Sequence, residues 1–170
     1  MLIAILQHTP AWVWLLLAAL VAYGLAQTTP KQVSAARAMA APLVMAVLSG
    51  SGLAAAFPHQ PLALAAWAAS AAAALGLARG LGLWRGMRRA PSARHLLLPG
   101  SWLPLALILC LFAIRFAAGV ALARDPALAL RSDLGIVFAF AYGGVSGIFL
   151  ARGLQAWRLT RSVLPQGLPG

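Results

Sequence analysis

Hydrophobic positions in this chain come in long blocks separated by short polar stretches, and not as a stripe repeating every 3.6 residues. The blocks cover residues 11–26, 38–57, 62–83, 102–123 and 134–156. The last four are of the length that crosses a hydrocarbon core of ~30 Å as a helix; the first is shorter. The pattern predicts an all-α fold, a polytopic membrane helix bundle with five transmembrane helices. Were the first block only interfacial, four spans would remain. A cleaved leader is the rival reading of that block, set aside because Lys31 and Arg37 follow the apolar run and do not precede it. The 170 residues read as a single integral membrane domain, with 157–170 as a loosely ordered cytoplasmic tail.

Within the blocks, small and breaking residues refine the picture. Pro42 falls in the first turns of the predicted 38–57 span, where proline is tolerated. Ser49-Gly50-Ser51-Gly52 follows, a weak helical segment that predicts a kink or a close helix contact. Two pairs four residues apart, Gly76 with Gly80 and Gly143 with Gly147, predict faces smooth enough for helix packing, between spans or with a second copy.

Charge then sets an orientation. The chain is 62% hydrophobic and 9% charged, with thirteen Lys+Arg against two Asp+Glu. The basic residues fall in the gaps between blocks, which argues for topology signals and anionic headgroups and against nucleic acid. Arg85, Arg88, Arg89 and Arg94 form the largest basic loop and are the candidate lipid-headgroup contacts. Counted over five spans, the connections holding Lys31, the Arg85 loop and the C-terminal tail carry most of the positive charge, while Arg124 and Arg131 lie on the other side. The bias predicts the N-terminus outside and the C-terminus in the cytoplasm.

One cation lies inside a block. Arg115 sits near the middle of 102–123, where insertion costs about 2.5–3.5 kcal/mol. It is nine residues in from Arg124; nine residues in from Asp133 and Pro61 lie Tyr142 and Ser70, and nine back from Phe57 is Leu48, next to Ser49. Ser146 is one turn from Tyr142. Depth therefore groups Arg115, Tyr142, Ser146, Ser70 and Ser49 as a candidate ligand-binding ring, with Arg115 clamping an anion or lipid headgroup. The same residues also read as a structural pin, with Arg115 satisfied by Tyr142, the hydroxyls and backbone carbonyls near Gly50–Gly52. No acidic residue lies within any span.

Other chemistry is sparse. Cys110 is the one cysteine and reads as apolar filler; His8, His59 and His95 show no ligand spacing, so no metal and no cofactor is expected. No catalytic residues are expected, and the chain reads as no enzyme. The segments LQHTPAWVW at the start, LLLPGSWLPLAL at 96–107, IRFAAGVALA at 114–123 and YGGVSGIFLARGLQAWR at 142–158 resemble a family of small bacterial inner-membrane proteins carrying a domain of unknown function. Spans and basic loops also show a looser resemblance to the CcdC-type membrane proteins. The first resemblance implies a bacterial cytoplasmic membrane and no activity. The expectation is a non-enzymatic membrane scaffold or partner subunit, with membrane lipids and a second copy or another membrane protein as partners. The alternative is a small carrier or sensor that binds an anionic small molecule or lipid headgroup at the intramembrane Arg115.

Overall fold

The computed structural model describes residues 11–91 and 95–161. Among these residues, five helices run up and down: α1 (Ala11–Leu25), α2 (Ala35–Ala56), α3 (Pro61–Gly80), α4 (Leu103–Arg124) and α5 (Ser132–Arg161). The last four are long and apolar enough to cross a membrane; α1, at 15 residues, is shorter. A 3-10 helix, Pro126–Leu130, joins α4 to α5, with the Asp125 carboxylate accepting from the Ala127 N–H at 3.0 Å as its cap.

α5 is the centre. It packs along α3 and α2 to form a three-helix core, while α1 and α4 pair with each other and lean on that core. The α3–α5 contact is made by absence of side chains. A Cβ at Gly143 would run into the Trp67 carbonyl and Ser70, and one at Gly147 into the Ala71 carbonyl and Ala74. Gly76 and Gly80, the other predicted packing pair, face open space. Outward-facing Leu43, Val47, Leu62, Leu77 and Val137 are all more than half exposed, so the bundle wears an apolar coat.

Two sequence readings need correction. The fold is not all-α. The polar stretch between the first two blocks and the basic loop supply a three-stranded antiparallel sheet, β1 (Lys31–Ser34), β2 (Arg88–Arg89) and β3 (His95–Leu98), ordered β1-β3-β2. Lys31 pairs with Leu98, Ser34 with His95, and Arg88 with Leu97. The strands have a physical reason to form: β3 buries Leu96 and Leu98 against Ala38, Met87 and Ala156, while His95 and Leu97 face out. The sheet thus closes one end of the bundle. The second correction concerns Pro42. Ser34 caps α2 by accepting from the Arg37 N–H at 3.4 Å, so the helix begins three residues earlier than expected and Pro42 lies in its interior. Gly153 of α5 leaves room for the ring, with a built Cβ 3.3 Å from the Pro42 Cβ. At the far end of α5 the helix continues to Arg161, beyond the predicted start of the tail; residues 162–170 lie outside the described part.

The two glycine pairs make opposite predictions. Gly143→Ala and Gly147→Ala should each lower the melting temperature in detergent, with overpacking costing about 1–3 kcal/mol. Gly76→Ala should be neutral or stabilise by up to about 1 kcal/mol through helix propensity. Thermal unfolding of the three purified variants checks the contrast.

Candidate functional site

The structure divides the predicted ring. Ser49 and Ser146 meet at the α2–α5 crossing with their hydroxyls 2.5 Å apart. The Ser146 hydroxyl is 2.8 Å from the Tyr142 carbonyl, the Ser49 hydroxyl is 3.1 Å from the Ala46 carbonyl, and Trp67 Nε1–H donates to Ser49 Oγ at 3.1 Å. Two hydroxyl protons serve three acceptor positions here, so when one proton sits between the serines one of the two carbonyls goes without. Both serines are at most 2% exposed. Gly50 lets the Trp67 ring lie against α2, with a built Cβ 3.4 Å from it. The expected close contact at residues 49–52 is therefore real, and Trp67 is the member that depth counting missed. An indole N–H buried in an apolar helix needs an acceptor, which was the available signal.

Ser70 stands apart from this cluster and donates to the Phe140 carbonyl at 2.9 Å. The Tyr142 side chain is 2% exposed within the cluster of Leu53, Phe57, Ala63 and Ala139. Arg115 lies within electrostatic reach of Tyr142 but is exposed, and among the described residues no side chain or carbonyl accepts from its guanidinium. Its NH1 end rests where a side chain on Gly52 would stand. Gly119, one turn along α4, faces open space. So the hydroxyls satisfy one another and the backbone, and the cation is presented to whatever surrounds the bundle.

Both carboxylates are engaged away from Arg115. Asp125 caps the 3-10 helix, and Asp133 takes a two-pronged ion pair from Arg131, Nε–Oδ1 3.1 Å and NH2–Oδ2 2.5 Å. That pair is fully exposed and its bonds raise the Arg131 guanidinium pKa above its usual range. The opposite end of the bundle is basic. Arg79, Arg85 and Arg158 line an open groove of about 540 Å³ with Trp84, Gln155 and the unused Gly76–Gly80 face. Arg88 and Arg89 are exposed on β2; Arg94 lies outside the described residues. Among the described residues, no group of three or more His, Cys, Asp and Glu side chains comes together.

A helix bundle whose four long helices can cross a membrane, capped at one end by a small basic sheet, is the class these features define. The chain belongs to the Family of unknown function (DUF6622), whose model matches residues 1–166. The looser likeness to CcdC-type proteins gains no support. No curated protein and no solved structure matches the chain.

The hydroxyl cluster is open to test. Ser49→Ala removes the acceptor of the Trp67 N–H and the partner of Ser146, and should cost about 1–3 kcal/mol. Adding Trp67→Phe to Ser49→Ala should cost less than the two single effects combined, because the same bond is lost in both. Melting of the two single variants and the double variant measures the coupling.

Proposed function

We propose that this chain is an integral membrane protein without catalytic activity, and that it serves as a scaffold or partner subunit in a bacterial cytoplasmic membrane. The apolar coat and the four long helices support insertion. The concentration of arginine at the sheet end supports a cytoplasmic position for that end, with the turn between α2 and α3 outside. If α1 also crosses, the N-terminus is outside and the C-terminus inside.

One observation carries the reading: Arg115, midway along α4, is exposed and has no acceptor among the described residues. A guanidinium at that depth is costly unless it is met. A second copy of the chain offers no aspartate or glutamate at that depth, because Asp125 precedes the 3-10 helix and Asp133 is in the first turn of α5. The complement is therefore an acidic or strongly accepting group on a different membrane protein, docked over Gly52 and Gly119.

A photo-crosslinking residue at Gly119, in membranes of the expressing cell, should give a discrete protein adduct that disappears with Arg115→Met. Arg115→Met should leave the melting temperature of the isolated protein unchanged or raised, since no bond within the chain is lost. Lipid adducts alone, or a protein adduct indifferent to Arg115, would overturn the reading. Reporter fusions after residue 161 and at Gln60 should report opposite sides of the membrane, with the former cytoplasmic.

A further inference from the structure

A second arginine is treated in the opposite way. Arg152 of α5 is only 9% exposed, yet among the described residues nothing accepts a hydrogen bond from it. Its guanidinium lies 5.4 Å from the centre of the Trp84 ring, and Trp84 is itself held by Nε1–H donating to the Ile148 carbonyl at 3.1 Å. A ring against the guanidinium face covers that face but accepts none of its in-plane N–H groups. Its nitrogens are not fully sealed but reach the cleft beside them, and a guanidinium so largely withdrawn from water is suited to an anionic partner there.

Arg152 opens into a cleft of about 180 Å³ between the end of α1, strand β1, the first turns of α2 and α5. Lys31 and Arg37 share its lining, and Met45, Ile108 and Phe149 form an apolar wall. Lys31 Nζ donates to the Ala26 carbonyl at 2.9 Å, leaving two of its three N–H groups. Burial, and then the repulsion of Arg152, push the Lys31 ammonium below its ordinary pKa. The N-terminus of α2 adds partial positive charge, since Arg37 and Ala38 in its first turn line the same space. Neither aspartate can offset this charge, because both lie at the other end of the bundle.

We propose that this cleft binds a phosphate-bearing anion, with Arg152 as the buried clamp and Lys31 as the second cationic donor. The fork of arginine and the point charge of lysine together suit an anion with several oxygens better than a lone carboxylate. An anion seated between the two cations removes their repulsion and supplies the acceptor that Arg152 lacks. The apolar wall suits the glycerol and upper acyl carbons of a phospholipid, while the basic end alone would serve inorganic phosphate. This site is independent of the Arg115 surface, which lies on α4.

The test uses the full chain, delipidated in a non-ionic detergent. Melting is followed against dioctanoyl phosphatidylglycerol, inorganic phosphate and dioctanoylglycerol, at ionic strength matched with potassium chloride. The wild type should melt higher with at least one of the two phosphate compounds and not with dioctanoylglycerol. A shift with phosphatidylglycerol alone assigns a lipid headgroup; a shift with inorganic phosphate assigns a soluble anion. Arg152→Gln and Lys31→Gln should each weaken the response about tenfold or more, and Arg124→Gln should leave it unchanged. If Arg152→Gln does not fold, Lys31→Gln decides alone. No response in the wild type, an equal response to dioctanoylglycerol, or a response unchanged in Lys31→Gln would overturn the proposal.

Discussion

The structure depends on how closely α5 approaches α2 and α3. Apolar side chains gain little by meeting one another when the surroundings are equally apolar, so packing and buried polar contacts must hold such helices together. α5 provides both. Gly143 and Gly147 let the backbone of α3 come against it, and Ser146 meets Ser49 across the α2 crossing. Gly153 continues the smooth face toward the sheet end, where Pro42 fits against it. The adjacent Arg152 is largely buried, against the Trp84 ring and at the edge of a cleft. One seam thus fixes the core, positions Trp67 and buries a cation.

The second constraint is charge. With two carboxylates against thirteen basic side chains, most cations cannot be balanced within the chain. The carboxylates serve the α4–α5 connection, one as a cap and one in an exposed pair of small energetic worth. Among the described residues, Lys31 turns to a backbone carbonyl and two arginines to aromatic rings. Arg161 lies over the Trp157 ring at 4.4 Å, and Arg152 over Trp84. The exposed ones on β2 and along the 540 Å³ groove are suited to a layer of anionic headgroups.

The helices were legible because block length and hydropathy are one-dimensional properties. The helix count and rough limits follow from them, and errors at the ends come from local chemistry such as the Ser34 cap. The sheet was not legible. His95-Leu-Leu-Leu98 shows no alternation of polarity, since Leu97 faces outward while Leu96 and Leu98 are buried. The two-residue strand β2 carries two exposed arginines, and its pairing with β3 is a tertiary fact. Depth counting grouped Ser49 and Ser146 in one ring with Arg115, but it fixes height along a helix and not direction around it. Arg115 therefore shared a level with the hydroxyls while pointing elsewhere. Likewise, spacing could not tell that Gly143 and Gly147 meet α3 whereas Gly76 and Gly80 meet nothing.

Arg115 and Arg152 show why a cation's position along a block does not fix its role. Arg115 is central in its helix, so it looked like the residue in need of shelter, yet it is exposed over a glycine. Arg152 is near the charged end of α5, where a snorkelling side chain would reach water at little cost. Instead the sheet covers that end, and β1 sets Lys31 beside it. Folding a basic connection back over the bundle thus turns an interfacial arginine into a buried one. The same act encloses a cleft that neither aspartate can neutralise. The sheet is therefore more than a lid on the helices, because β1 brings Lys31 to the cleft that Arg152 lines, and Val33 and Leu98 complete its wall.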